Sequence, residues 1–266
     1  MKKSLIEGSS KIFHKEGEQL LMVFKDTIHG AQREGNIGGT GHLRKAFTYH
    51  FYRFLQQRGI KTHLDESMGS ALADDGIFVC RLNPVKIEII VRNVARGYWV
   101  DDHKVPLFEG GVVFDEPIVE FCLKWKTEQE DGTVIDDPRI SPPVAVALHK
   151  YGKDPVIKEN MIINVEEAKV LEKLALDINE AYQLLLKEQG WILEDFKFEE
   201  GVGEKGRDFV LIDEISPDCS RIRDKEGNSL TKDLFRQRRP SEEIYEGYRK
   251  LKEAAEQLAN QELPHV

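Results

Sequence analysis

The residues with the clearest chemical potential lie in residues 193–223, which contain two extended segments joined by a Gly-rich turn. In the first segment, Asp195, Lys197 and Glu199 alternate with two phenylalanines. Alternate residues of a β-strand point to the same face. The spacing therefore predicts a strand with these polar groups on one face and the phenylalanines on the other.

The second segment, residues 208–212, is apolar and leads directly into Asp213. A hairpin of the two segments would bring Glu199 and Asp213 close together. Magnesium is held in proteins by few carboxylates, and phosphate oxygens complete its coordination. The two carboxylates, with Lys197 beside them, predict a site for a magnesium–nucleoside triphosphate complex. The alternative is an amphipathic hairpin whose charged face is solvated.

Two other segments are suited to binding an anion. Residues 8–11 form a Gly-Ser-Ser-Lys turn, in which backbone N–H groups and the lysine would approach a phosphate. Arg92 and Arg96 end a strongly apolar strand, where the planar guanidinium fork matches a carboxylate or a phosphate. The alternatives are a tight surface turn in the first case and pairing with surface carboxylates in the second.

The apolar periodicity predicts the elements that position these groups. Aromatic and aliphatic residues recur at helical spacing in residues 42–58, in residues 165–190 and again after Ser241. Residues 85–93 have the strongest strand pattern. Residues 26–41 are rich in glycine and predict an irregular loop, which either covers a ligand or is a plain surface loop.

Composition narrows the class of protein. The chain has 266 residues, 40% of them hydrophobic, and a formal net charge of -9. An acidic balance argues against a nucleic-acid binder, and the three cysteines lack the spacing of a metal site or a disulfide framework. No segment has the pattern of a signal peptide or a membrane span. We therefore expect a cytoplasmic protein with two lobes, divided near residue 80.

The candidate residues belong to a series of motifs that runs along nearly the whole chain in order. The series is Gly8-Ser9-Ser10-Lys11, Phe24-Lys25-Asp26, Glu88-x-x-Val91-Arg92-Asn93, Asp195-Phe196-Lys197-x-Glu199-x-Gly201, Asp213-Glu214-Ile215-Ser216-Pro217-Asp218-x-Ser220-Arg221 and Lys232-Asp233-x-Phe235-Arg236. In this series the chain resembles the SAICAR synthetase (phosphoribosylaminoimidazole-succinocarboxamide synthase) family.

The resemblance implies a two-lobed α+β fold related to ATP-grasp, with antiparallel sheets and flanking helices. Residues 1–80 would form the nucleotide-binding lobe and residues 81–266 the ATP-grasp-like lobe. The implied activity is that of an ATP- and Mg²⁺-dependent ligase in purine biosynthesis. It joins L-aspartate to the carboxylate of carboxyaminoimidazole ribotide through an acyl phosphate. The resemblance also implies a homo-oligomer.

The same resemblance assigns roles to individual residues. The catalytic residues would be Lys197, Glu199 and Asp213, and the last two would hold Mg²⁺. The contacts to ATP would come from Ser9, Ser10, Lys11 and Lys197. The substrates would be bound by Arg92, Asp218, Ser220, Arg221 and Arg236.

The chain departs from the usual family pattern in residues 26–30, which read D-T-I-H-G where the family usually has D-D followed by T-A, and at five further positions. A lysine of the first turn is replaced by Ser9, and the G-K-G-x-x-N motif has Thr40 and Arg44 in place of its lysine and asparagine. Tyr98 replaces a serine, and Arg223 replaces an aromatic residue. Two alternatives therefore remain: a paralogue that joins an acidic amino acid to a different carboxylate, and a ligand-binding homologue without catalysis.

Overall fold

The computed structural model describes residues 4–67, 70–103, 111–124, 126–128, 134–137, 139–140, 163, 165–203 and 208–261. The chain divides into two compact units. The first comprises Met1–Arg81, Ala181–Glu194 and Glu214–Val266, and the second comprises Leu82–Glu180 and Asp195–Asp213. The lobe boundary expected near residue 80 stays a prediction.

In the described residues, the first unit contains an antiparallel sheet in the order β1-β2-β3-β6, a separate β-hairpin, three whole helices and the end of a fourth. The sheet strands are β1 (Ser4–Glu7), β2 (Lys11–Glu16), β3 (Gln19–Phe24) and β6 (Gly76–Val79). The hairpin strands are β4 (Thr27–Gly30) and β5 (Arg33–Asn36). The helices are α1 (Thr40–Gln57), α4 (Asp233–Arg236) and α5 (Ser241–Ala259).

Helix α1 forms because its aromatic residues recur on one face and become buried. Phe47, Phe51 and Phe54 are at most 2% exposed, and the ring of Phe51 lies 4.7 Å from that of Tyr182 between centroids. The same helix packs against α5. The predicted helix is confirmed, although it begins two residues earlier than residue 42.

The prediction of an irregular loop in residues 26–41 is wrong, because most of these residues form the β4–β5 hairpin. The turn consists of Ala31 and Gln32, which both have positive φ angles. Asp26 precedes the hairpin and accepts hydrogen bonds from the backbone N–H groups of Gly39, at 3.0 Å, and Gly41, at 2.7 Å. Because the first N–H groups of a helix have no partner within the helix, this carboxylate caps α1.

The second unit contains a sheet in the order β11-β8-β7-β12-β13. Its strands are β7 (Asn83–Ala95), β8 (Val112–Leu123), β11 (Arg139–Ile140), β12 (Ile192–Val202) and β13 (Phe209–Ile212). Strand β12 begins with residues of the first unit and also pairs with β14 (Ser220–Arg223). The remaining elements are β9 (Lys126–Glu128), β10 (Val134–Asp136), α2 (Tyr98–His103) and α3 (Val165–Lys187). These helices and antiparallel strands confirm the predicted α+β class.

The central strands β7 and β12 have one apolar and one polar face. Phe196 and Phe198 are each 1% exposed, with their rings stacked at 5.9 Å between centroids. Because Phe196 pairs with Val91 and Phe198 with Ile89, the apolar residues of both strands share a face. The predicted alternation is confirmed, and it places Asp195, Lys197 and Glu199 opposite the buried rings. None of the described helices is long and apolar enough to cross a membrane.

Candidate functional site

Charged side chains cover the polar face of the second unit's sheet. The register aligns Arg92 with Asp195 and Glu88 with Glu199. Cross-strand partners in an antiparallel pair point to the same side. We call this set the polar face and define it by Glu88, Arg92, Glu120, Lys124, Arg139, Asp195, Lys197, Glu199 and Asp213.

Arg92 is buried at one end of the polar face. Its Nη1 atom lies 3.2 Å from an oxygen of Asp195, and its Nε atom donates to Glu120. Glu120 also pairs with Arg139, whose Nε atom lies 2.8 Å away. The guanidinium of Arg92 is only 6% exposed. The substrate-binding role predicted for Arg92 stays a prediction, and its two carboxylate partners fix the orientation of its fork.

Lys197 has a different environment from Arg92. Its Nζ atom donates to Glu88 at 2.7 Å, but its side chain is 45% exposed whereas that of Glu88 is only 8% exposed. The ammonium group is therefore oriented by a buried carboxylate while part of it faces solvent. A lysine ammonium held in this way suits an incoming phosphate, because its three donors rotate freely.

Glu199 and Asp213 are neighbours on the polar face, as the hairpin pattern predicted. Glu199 pairs with Ile212, the residue before Asp213. Burial, together with the charge of Asp213, raises the pKa of Glu199. The Nζ atom of Lys124 lies 2.5 Å from Oε1 of Glu199 and partly offsets this effect. Burial alone would lower the pKa of Lys124, but the charge and hydrogen bond of Glu199, together with the charges of Glu88 and Asp213, outweigh burial and raise it.

The pair of carboxylates has the donor chemistry that Mg²⁺ requires. Two neighbouring carboxylates, one of them with a raised pKa, are stabilised as anions by a divalent cation. Within the described residues, no three or more His, Cys, Asp or Glu side chains form a metal-binding group. Magnesium does not need such a group, because phosphate oxygens and waters complete its octahedron. The residues therefore fit the ion.

A second charged group is buried in the first unit. We call it the buried ion cluster and define it by Lys11, Arg44, Glu214, Asp218 and Tyr248. The Nζ atom of Lys11 lies 2.8 Å from Oε1 of Glu214. The Nη1 atom of Arg44 lies 3.4 Å from the same oxygen and 3.1 Å from Oδ2 of Asp218, whose other oxygen accepts from Tyr248.

The charges of the buried ion cluster stabilise each other. Burial alone would raise the pKa of Glu214, but the charges of Lys11 and Arg44 outweigh it and lower the pKa to about 2. Burial alone would lower the pKa of Arg44, but Glu214 and Asp218 outweigh it and raise the pKa. Glu214 and Arg44 therefore stay ionised at neutral pH. It holds the amine of Lys11 at the start of β2, directly after the Gly-Ser-Ser turn.

The turn that precedes Lys11 is held by residues at the end of β3 and the start of β4. The Nζ atom of Lys25 donates to the carbonyl of Gly8 at 2.8 Å, and the hydroxyl of Thr27 donates to the carbonyl of Ser9 at 2.6 Å. Ser9 itself is exposed. These hydrogen bonds are accepted by carbonyl oxygens of the turn and fix its orientation. This arrangement is compatible with phosphate binding by N–H groups of the turn. The ATP contacts predicted for Ser9 and Ser10 stay a prediction.

The predicted substrate-binding residues of the first unit differ in accessibility. Ser220 is buried, and its hydroxyl lies 2.9 Å from both the Tyr182 hydroxyl and the carbonyl of Ser216. This geometry favours a structural role for Ser220. Arg221 and Arg236 are partly exposed and share the carboxylate of Asp233. The predicted roles of all three, and that of Asp218, are not tested by these contacts.

The structure also places three of the positions at which the chain departs from the family pattern. Thr40 is buried, and its hydroxyl donates to the carbonyl of Ile37 at 2.7 Å. Arg44 belongs to the buried ion cluster. The Nε atom of Arg223 lies 2.7 Å from the buried carboxylate of Glu194. The side chain of Tyr98 lies outside the described residues.

Sequence reasoning missed Lys124, Glu120 and Arg44. Glu120 lies on β8 and Lys124 follows it directly; the alternation of this strand is weak because it has exposed residues on both faces. Arg44 lies in an amphipathic helix, where an arginine is usually solvated. The sequence feature that could have identified Arg44 is its position, where the G-K-G-x-x-N motif of the family has asparagine.

Comparisons with known proteins agree with this architecture. The SAICAR synthetase family model matches residues 4–253. The phosphoribosylaminoimidazole-succinocarboxamide synthase of Persephonella marina is 31% identical, over 95% of both chains. That of Thermococcus kodakarensis is 35% identical, over 86% of this chain and 88% of its own.

Solved structures show the same likeness. A phosphoribosylaminoimidazole-succinocarboxamide synthase from Ehrlichia chaffeensis superposes with a TM-score of 0.78 at 26% identity, and the match covers 95% of this chain and 98% of that one. A SAICAR synthetase in complex with ADP superposes with a TM-score of 0.75 at 30% identity, covering 98% and 99%.

Proposed function

The chain belongs to the SAICAR synthetase family, and on that premise we propose that it forms an amide bond between L-aspartate and the carboxylate of carboxyaminoimidazole ribotide. The products are SAICAR, ADP and phosphate, and the reaction is a step of purine biosynthesis. The observation that carries this proposal is the arrangement of Glu199 and Asp213 beside Lys124 and Lys197 on the polar face.

The residues of the polar face would serve phosphoryl transfer. Glu199 and Asp213 would hold Mg²⁺, which neutralises charge on the nucleotide's phosphate oxygens when bound. Lys11 and Lys197 bring ammonium groups to the triphosphate, and the turn at Ser9 and Ser10 brings backbone N–H groups. Phosphoryl transfer depends mainly on positioning and charge neutralisation. A set of lysines and carboxylates without a dedicated base is adequate for that task.

The reaction has two displacement steps. In the first, an oxygen of the acceptor carboxylate attacks the γ-phosphorus of ATP, and the bond to ADP breaks. In the second, the amine of aspartate attacks the resulting acyl phosphate, phosphate leaves and the amine loses a proton. The substrate-binding residues of this proposal are those predicted from the sequence, Arg92, Asp218, Ser220, Arg221 and Arg236, of which Arg221 and Arg236 would hold the anionic groups of the ribotide.

Two further properties belong to the same proposal. We expect a cytoplasmic enzyme, as required for a pathway that works on soluble nucleotides. We also expect a homo-oligomer, which size-exclusion chromatography with light scattering would measure. A monomeric mass at micromolar concentration would contradict the expected assembly without affecting the proposed reaction.

One assay tests the proposed reaction. The protein is mixed with ATP, Mg²⁺, L-aspartate and carboxyaminoimidazole ribotide, and ADP release is followed while mass spectrometry identifies the amide. Formation of SAICAR in step with ADP is the expected result. The family departures make a second acceptor worth including, so other aromatic carboxylates are tested in parallel. ADP release with one of those alone would identify a paralogue, and no release with any of them would contradict ligase activity.

A further inference from the structure

The β4–β5 hairpin presents a specific face to helix α4. Gly30 pairs with Arg33, and Ile28 pairs with Gly35. Cross-strand partners and alternate residues share a face. The side chains of Ile28 and Arg33 and the open positions at the two glycines therefore lie on one side of the hairpin.

Helix α4 fills the space that the glycines leave open. A Cβ atom at Gly35 would lie 2.7 Å from the ring of Phe235, and one at Gly30 would lie 3.1 Å from Cγ of Arg236. The guanidinium carbon of Arg33 lies 4.6 Å from the centre of the Phe235 ring. Arg33 and Arg236 are therefore neighbours on the face that joins the hairpin to the helix.

These contacts gather positive charge around one carboxylate. Asp233 pairs with both Arg236 and Arg221, whose Nε atom lies 3.2 Å away. With Arg33, three guanidiniums belong to the same part of the first unit as the carboxylate of Asp233. The Nη1 atom of Arg33 is buried and has no hydrogen-bond partner among the described residues. A buried charged donor without an acceptor is costly, so the group is suited to an incoming anion.

We propose that Arg33 binds the phosphate monoester of the acceptor substrate together with Arg236 and Arg221. This inference rests on the proposed function, which assigns the latter two to the ribotide. A phosphate monoester carries close to two negative charges at neutral pH, and guanidinium forks bind phosphate oxygens through charge-assisted hydrogen bonds. Stacking on Phe235 orients the planar fork of Arg33 before the ligand binds, so less side-chain entropy is lost.

The inference is tested by removing the guanidinium and the phosphate in turn. Binding of the ribotide and of the corresponding riboside, which lacks the phosphate, is measured by calorimetry for the wild-type chain and for Arg33→Met. We expect the substitution to weaken ribotide binding about 10- to 100-fold, because it removes charge-assisted hydrogen bonds. Riboside binding should not change. Arg33→Lys keeps the positive charge and loses the planar guanidinium fork. Its affinity for the ribotide should therefore lie between those of the wild type and Arg33→Met.

The matched control is Arg58→Met, which also removes a guanidinium stacked on a phenylalanine. Arg58 follows helix α1, and its guanidinium carbon lies 5.6 Å from the centre of the Phe54 ring. This control should bind the ribotide as the wild type does.

The possible results separate the inference from the proposed function. If the wild type binds no ribotide, the proposed function fails. If the wild type binds it and Arg33→Met binds it equally well, only the role of Arg33 fails. Equal losses for ribotide and riboside would contradict phosphate recognition. Phosphate recognition would also be contradicted if Arg33→Met raised the KM of aspartate and left the KM of the ribotide unchanged. That result would assign Arg33 to the carboxylates of the amino acid.

Discussion

At the scale of single residues, the charged groups fall into two classes that differ in accessibility. Glu214 and Arg44 are buried, and their charges are paired within the buried ion cluster. Glu199 and Lys197 keep part of their surface, with 21% and 45% of their side chains exposed. Buried pairs mainly orient their surroundings, whereas partly exposed groups remain able to contact a ligand. This difference decides which substitutions should affect catalysis and which should affect stability.

Glu199→Gln should lower kcat about 100-fold or more while the protein stays folded. The substitution removes one of the two carboxylates proposed to hold the metal, and the electrostatic effect of such a group on phosphoryl transfer is of this size. The raised pKa of Glu199 shows that its charge is unfavourable without a cation, so a neutral amide should be tolerated. Steady-state assays and thermal unfolding measure both effects. Full activity in this variant or in Asp213→Asn would contradict the metal assignment.

The neighbouring Glu200 offers a matched control with its own pH signature. It is 1% exposed, and burial raises its pKa well above the usual value. A carboxyl group with a raised folded-state pKa contributes stability that is lost as the pH rises above its unfolded pKa. Glu200→Gln should therefore leave kcat near wild type and raise the melting temperature more at pH 8 than at pH 5. An equal change at both values would contradict the buried neutral acid.

Arg44→Met should destabilise the protein by about 3 to 5 kcal/mol, because it leaves Glu214 and Asp218 buried without their shared cation. Urea denaturation measures the change in the free energy of unfolding. The double variant Arg44→Met, Asp218→Asn should recover part of the loss, since it also removes the charge of Asp218 while Glu214 keeps its ion pair with Lys11. No recovery would show that packing of the guanidinium, rather than charge pairing, is what Arg44 contributes.

At the scale of elements, close backbone approach determines how α1 is placed. A Cβ atom at Gly41 would lie 2.7 Å from the carbonyl oxygen of Phe24 and 2.8 Å from that of Lys25. Backbone atoms cannot move aside as a flexible side chain does. The glycine therefore lets the capped end of α1 lie against the end of β3.

Gly41→Ala should lower the free energy of unfolding by about 1 to 3 kcal/mol, the range typical of overpacking. Gly38→Ala is the matched control in the same segment, because a Cβ atom there would meet nothing within 4 Å. It should be neutral or slightly stabilising, since alanine reduces the entropy of the unfolded chain. Equal effects of the two substitutions, measured by urea denaturation, would contradict the steric argument.

The elements differ in how well the sequence predicts them. Helix α1 and the alternation in β12 were predicted because their apolar periodicity is local and strong. The β4–β5 hairpin was not predicted, because its turn uses Ala31 and Gln32 at positive φ angles that normally favour glycine. Its glycines at positions 30 and 35 serve packing against α4 instead. The high glycine content of residues 26–41 therefore favoured an irregular loop, although this segment forms a hairpin that packs against α4.

At the scale of the whole molecule, nucleotide binding should couple to stability. A ligand that binds only the folded state at 100 times its Kd adds about 2.7 kcal/mol. With ADP and Mg²⁺ we expect a rise in melting temperature of about 5 to 10 °C. Adenosine, which lacks phosphates, is the control and should give a much smaller shift. In Lys11→Met, the rise in melting temperature caused by ADP and Mg²⁺ should be smaller than in the wild type. This difference does not depend on the melting temperature of the variant without ligand. An undiminished shift in Lys11→Met would argue against the phosphate contact.

The sequence by itself determined the family and the α+β class, and it supplied the residues that we propose for phosphoryl chemistry. These follow from short motifs and from a strand period of two residues, which are properties of local sequence. Only the tertiary structure decided which charges are paired. Lys124 meets Glu199 across 75 positions of sequence, and Arg44 meets Glu214 across 170. The physical reason is that pairing depends on strand register and on contacts between distant segments, which no local pattern encodes.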